Sequence, residues 1–407
     1  MADFAARPPA DSPSEPARLF ERLGYGALAL CAPVAAVISS VAVLALYVVG
    51  AAMLLISAAL DPERSIAQRW RDVARSPLMG AGLALLAWAA VSLAWTPFPE
   101  AGVQQLVSLG LIGFGAALAM TSGREHMRAS DLYIFPGGVA LALVVVALLA
   151  LAQNWGFDAP TGYFGRCGEA IAIMLYPAMA GLAARGRNGL ARLLQILALG
   201  FAFALGEPAV ATALLAGFTA LSFALSDLPR TARDFGLLAA AIILLAPLAP
   251  ALAPGAAHWI FHAKLAAASD PFAPLAEAAR TVLHEPGRLL TGRGIGTIAQ
   301  GVLNGALPAA TPRVALYQLW YELGVVGAAL AALCAWLAFR ALAQAGAKVA
   351  PYLAAALTCD LALAFLKQDF ASLWWVATLA VSAIAAAAAS RSQYRTTRPS
   401  AAGLAHL

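Results

Sequence analysis

Residues 25–60 read YGALALCAPVAAVISSVAVLALYVVGAAMLLISAAL, thirty-six positions without one charged side chain. A helix crosses the hydrocarbon core of a bilayer with about 20 apolar residues. The run is too long for one crossing and long enough for two, so it divides near Ser39-Ser40, the one adjacent polar pair at its middle. Similar runs recur along the whole chain. Its 407 residues are 62% hydrophobic and 12% charged, with a mean hydropathy of +0.78. Soluble domains carry roughly 25% charged residues. The apolar runs do not alternate as barrel strands do, so they cross as helices. The fold class is all-α, a polytopic transmembrane bundle.

Twelve spans are expected, at 25–41, 43–60, 78–95, 104–121, 132–154, 168–184, 193–206, 208–225, 235–252, 314–339, 350–366 and 370–389. Cationic residues set their orientation. With the N-terminus inside, short inner segments hold nineteen of the 26 Lys and Arg, and short outer loops hold only Arg166 and Lys367. Lys264, Arg280, Arg288, Arg293 and Arg313 fall in one long outer segment or at its end. Long loops cross largely regardless of charge, so the split on short segments carries the argument. Both termini are then cytoplasmic. The organisation is a tail at 1–23, spans at 24–252, a periplasmic loop at 253–313, spans at 314–389 and a second tail at 390–407. The first tail is expected to be disordered over ADFAARPPADSPSEP. Within the loop, Pro274–His284 has helical composition, and Trp259 and Phe261 suggest a short interfacial helix.

Composition also excludes functions. The net charge of +5 is spread over loops, so nucleic acid is not an expected partner. Cys31, Cys167, Cys334 and Cys359 show no paired spacing, and neither a disulfide framework nor a zinc site follows. There is no Walker loop, no nucleophile elbow and no pair of aspartates suited to a sugar nucleotide. No cofactor and no metal are expected. A driving force must then reside in the substrate or in an ion gradient.

The stretch 289–339 carries most of the polar signal. It reads LLTGRGIGTIAQ at 289–300 and PRVALYQLWYELGVVGAALAALCAWLAF at 312–339. Gly292, Gly294 and Gly296 surround Arg293, where backbone N–H groups could approach an anion, or could simply turn the chain. Arg313, Tyr317 and Tyr321 are expected on one helical face, with Gln318 and Glu322 beside it. That face is either the wall of a substrate cavity or an interfacial anchor with Glu322 in a structural pair. Arg166, in YFGRCGEAIAI, either binds an anion or pairs with Glu169. Asp360 stands mid-span, as a proton or cation site or as a neutral buried acid. Glu207-Pro208 reads as a plain turn.

A large outer loop ending in LTGRGIG, followed by LYQLWYELGVVGA, resembles the O-antigen ligase and polymerase family of bacterial inner membranes. FGRCGEAIAIMLYPAMAGL looks like that family's central span, including its mid-helix proline, here Pro177. A His-Asn pair that the family often carries nine and eight residues before its Glu is Arg313-Val314 here. Its frequent Ser-Arg at the start of a middle span is Glu207-Pro208. The resemblance implies glycan transfer on the periplasmic face, from a lipid-linked oligosaccharide on a polyprenyl diphosphate to a glycan or lipid acceptor. It places Arg313, Glu322 and His284 as catalytic candidates. Arg166, Arg280, Arg288, Arg293, Tyr317 and Gln318 are then candidate substrate-binding residues. A secondary transporter, or a non-catalytic part of an envelope assembly machine, are the competing readings.

Overall fold

The computed structural model describes residues 15–60, 70–71, 73–122, 131–153, 162–248, 286–307, 311, 313–344 and 348–391. Everything described is helix or connecting loop, with no strand among these residues. Nine helices among them are long and apolar enough to cross a membrane, which makes this a multi-pass membrane protein. In order the described helices are α1 (Glu15–Ile38), α2 (Ser40–Ala59), α3 (Pro77–Val91, extended by a tight turn to Ala94), α4 (Pro99–Ser122), α5 (Ile134–Gln153), α6 (Tyr163–Ala184), α7 (Asn188–Ala204), α8 (Pro208–Ser226), α9 (Leu228–Leu245), a short α10 (Thr297–Leu303), α11 (Ala315–Gln318), α12 (Gly324–Ala343), α13 (Ala350–Leu366) and α14 (Leu373–Ser390). The nine candidates are α1–α6, α8, α14 and the pair α11–α12, which forms one broken span; α7 and α13 are shorter apolar helices, and α9 carries Arg230, Arg233 and Asp234. Each of the twelve expected segments overlaps one helix or one such pair.

Local chemistry explains the boundaries. Ser39 has extended backbone angles (φ −151°, ψ 132°), and its hydroxyl accepts from the N–H of Ala42, so the long apolar run breaks there into α1 and α2. Ser76 caps α3 by accepting from Met79, and Asp227 caps α9 by accepting from Arg230, each directly ahead of a proline in the first turn. The α9 cap corrects the span expected at 235–252. The helix starts at Leu228 because its first turns are charged but capped, which hydropathy does not register. The expected tail at 1–23 also shortens. Glu15–Gly26 is helical, with Ala17 buried and its carbonyl accepting from the Ser57 hydroxyl at 2.7 Å. The two helices expected within 253–285 lie outside the described residues.

The core forms around α6. Almost every residue from Cys167 to Leu182 is buried, as expected of a helix apolar all round. It is packed by the second half of α1 and by α5, α7, α13 and α14. The hydroxyl of Tyr176 donates to the Leu214 carbonyl at 2.6 Å, and its ring lies over Gly217, where no Cβ blocks it. Beside this core, α8 lies along α13, and α9 and α3 both lie along α12. At one end of the bundle, Ile38, Thr96, Arg166, Glu207, residues 286–307 and residues 367–372 meet through hydrogen bonds and ion pairs. That end holds the candidate site.

Candidate functional site

The site is organised by an interrupted span. Leu319–Leu323 forms a π-helical turn, and Gly324 follows with φ +64° and ψ −161°, ending one helix and starting α12. A break of this kind strips backbone carbonyls of their helical donors. The chain supplies replacements from the glycine loop. The N–H of Arg293 donates to the Tyr321 carbonyl and that of Gly294 to the Glu322 carbonyl, both at 2.9 Å. The Trp88 indole donates to the Leu323 carbonyl at 2.9 Å, and Val325 N–H returns to Leu289 at 2.8 Å.

Of the two readings of the glycine loop, this pairing favours the turn. The loop is not a cradle offering N–H groups to an anion. Gly292 N–H is bonded to the Arg288 carbonyl, Ile295 N–H to the Ser92 hydroxyl, and Ile298 N–H to the Glu322 carboxylate. The glycines serve close approach. At Gly294, with φ +95°, a Cβ would lie 2.6 Å from Thr96 Cα. Thr96 also donates to the Ile295 carbonyl at 3.0 Å, so the loop is held between the α3–α4 turn and the break.

Glu322 is 2% exposed and both its oxygens are engaged. Oε1 accepts from Ile298 N–H at 3.0 Å, and Oε2 accepts from the Gln318 amide at 3.1 Å. Gln318 turns its own oxygen to Phe370 N–H at 2.8 Å. The expected pairing of Gln318 and Glu322 along one helix edge is therefore present, and Glu322 acts as the structural tie weighed above. Tyr317 and Tyr321 stack at 5.4 Å as neighbours on one face. Arg313 does not join them. It precedes the helix on an extended segment, since Val314 has φ −122° and ψ 142°, and its side chain is exposed. Arg288 is exposed as well. Arg293 is half-buried, with its guanidinium 4.8 Å over the Tyr321 ring and bonded to the Tyr321 hydroxyl. Arg280 and His284 lie outside the described residues.

The network continues into α6. The Ala315 N–H donates to the Gln368 carbonyl at 2.6 Å, and the Gln368 amide donates to Glu169. Glu169, 1% exposed, also meets Lys367 Nζ at 2.8 Å, and the same ammonium meets Glu207 at 2.7 Å. Burial works against charge on Lys367, but Glu169 and Glu207 together outweigh it and hold the ammonium above its ordinary value. The anticipated pair of Arg166 with Glu169 is absent. Arg166 instead stacks on Tyr163 at 5.2 Å and reaches the Ile38 carbonyl, and its buried Nε has no partner among the described residues.

Lys367, Gln368, Glu169 and Glu207 were not expected at the site. They are brought together from positions up to 199 residues apart. One weak signal was present in the sequence: Lys367 is one of two cations on short outer loops, and an ammonium near a bilayer surface requires a partner, but nothing in the sequence names which acid supplies it. Glu169 and Glu207 thus hold one ammonium between them, Glu322 and Asp369 lie farther along the same network, and the arginines stand at its edge. No family model, curated protein or solved structure matches this chain. Among the described residues no group of His, Cys, Asp and Glu is arranged to hold a metal ion.

Proposed function

We propose that this protein transfers glycan from a polyprenyl-diphosphate carrier to a glycan or lipid acceptor at the outer face of a bacterial inner membrane. One observation supports the reading. The three segments on which the family resemblance rests, around Arg166, Arg293 and Glu322, are far apart in sequence yet join one polar junction at one end of the bundle. In this mechanism an acceptor hydroxyl attacks the anomeric carbon as the bond to the diphosphate breaks. The diphosphate leaves with the electron pair, and the edge arginines Arg166, Arg293 and Arg313 stabilise its charge. The acceptor proton passes to a carboxylate. Glu322 spends both oxygens inside the protein, so it positions the loop. Glu207, with a side chain 24% exposed and held by Lys367, is the carboxylate that reaches the surface.

Turnover of a lipid-linked oligosaccharide by the purified protein in nanodiscs tests this. Release of polyprenyl diphosphate is expected from the wild type. It should fall at least a hundredfold in Glu207→Gln and in an Arg293→Ala/Arg313→Ala variant that keep the wild-type melting profile. Wild-type turnover in both variants would remove these residues from the chemistry, and no turnover in the wild type would remove the activity.

A second reading rests on Asp360. Its buried Oδ1 has no hydrogen-bond partner among the described residues, in the middle of α13. An intramembrane carboxyl of this kind marks ion-coupled transport. Gradient-driven solute uptake in vesicles, lost in Asp360→Asn, would support it against the transferase.

A further inference from the structure

At the opposite end of the bundle, α6 stops in a defined way. Arg187 N–H donates to the Leu182 carbonyl at 2.9 Å and Gly186 N–H to the Ala183 carbonyl at 2.9 Å, with Gly186 at φ +71°. This is the Schellman closure, in which a left-handed glycine ends the helix and satisfies its last carbonyls. It fixes the directions of the flanking residues, Arg185 and Arg187. Both are exposed, and both stand beside Tyr133, from the turn Asp131–Tyr133 ahead of α5. The Arg185 guanidinium also lies 5.6 Å over the Tyr133 ring. No carboxylate pairs with either arginine among the described residues. Nearby Arg230 and Arg233, in contrast, both meet Asp234.

Two exposed cations either side of Gly186, with no carboxylate paired to them among the described residues, leave a positive charge that an anion neutralises best, and the guanidinium fork suits phosphate oxygens. The surface below them is apolar. Leu190, Leu193 and Leu197 follow at spacings of three and four along α7, and each is about half exposed (49%, 51% and 53%). A free phosphate would use the cations alone. A phospholipid would use both parts, with its phosphate on the arginines and an acyl chain along the leucines.

We propose that Arg185, Arg187 and Tyr133 bind the phosphate of an anionic phospholipid whose acyl chain lies along Leu190, Leu193 and Leu197. This site is separate from the polar junction and does not depend on the transferase reading.

The test is a titration of the detergent-purified full chain with phosphatidylglycerol, phosphatidylcholine or inorganic phosphate, read by melting temperature and by lipid retention in native mass spectrometry. Phosphatidylglycerol should raise the melting temperature saturably, and phosphatidylcholine and inorganic phosphate should not. In an Arg185→Ala/Arg187→Ala variant the apparent affinity should fall about 30-fold, from the roughly fivefold that each cation near an anionic surface contributes. An Arg230→Ala/Arg233→Ala variant should bind as the wild type does. If the alanine pair fails to fold, Tyr133→Phe and Arg185→Lys/Arg187→Lys give the same reading with smaller losses. Equal affinity for phosphatidylglycerol in the wild type and in all variants at these three positions would overturn the proposal. So would an equal response to phosphatidylcholine. Saturation by inorganic phosphate at the same concentration would overturn the lipid in favour of a free anion.

Discussion

Replacing Lys367 by methionine removes the single ammonium that links α6, α8 and the α13–α14 turn. The size of the effect follows from where its partners sit. Glu169 is 1% exposed and would keep one bond to Gln368 but lose its counter-charge. Breaking a buried ion pair by removing one partner costs about 3–5 kcal/mol. The Lys367 side chain is 31% exposed and Glu207 24%, so their half of the contact contributes about 1 kcal/mol or less. Glu169 can also take up a proton, which limits the loss. The expected cost is therefore near the lower end, about 3 kcal/mol, almost all of it through Glu169. Adding Glu169→Gln removes the stranded charge, so the double variant should recover most of the stability. The assay is a melting series in detergent on wild type, both single variants and the double, followed by tryptophan fluorescence. A double variant no more stable than Lys367→Met alone would refute the reasoning. The pH dependence has a definite sign. The folded value of Lys367 lies above its ordinary 10.5, so its contribution is complete below about 10.5 and is lost as pH rises through the folded value. On the lysine side, the gap between wild type and Lys367→Met should stay constant from pH 7 to pH 9.

Two further outcomes follow. Gly294→Ala forces a side chain into the left-handed region and against Thr96, at about 1–2 kcal/mol for the backbone and 1–3 kcal/mol for the clash. It should speed proteolysis within residues 286–307 relative to wild type, and an unchanged digestion pattern would show that the loop is not docked as described. In a cysteine-free background, Asn304→Cys should react with a membrane-impermeant maleimide added to intact cells, and Asn188→Cys should react only after lysis. The reverse pattern would invert the proposed orientation and leave the glycan chemistry without its substrate.

Much of the bundle was legible because membrane helices announce themselves by length and hydropathy. The break at Ser39 could be read from the run's excess length alone. The start of α9 could not, because Asp227 makes a charged segment helical through its cap. The interruption at Gly324 was also hidden, since a single Glu and two glycines within a long apolar run do not by themselves mark a break. Within the site, the neighbours Gln318 and Glu322 were readable from their spacing of four. The Glu169–Lys367–Glu207 contact was not, because helical periodicity carries no information about which loops share an end of the bundle. Arg313 was placed on a helical face that starts only after it.

The break at Gly324 also acts as a ruler. The twenty residues of α12 measure about 30 Å at 1.5 Å per residue, the thickness of the hydrocarbon layer. In the proposed orientation, a layer spanned by α12 alone would put Glu322 and Gln318 at headgroup height because of a residue count, whatever their own chemistry. One residue inserted into α12 would lift them by about 1.5 Å and swing them by about 100° relative to the far end of the helix. The chain should accept many substitutions along α12 and very few changes in its length.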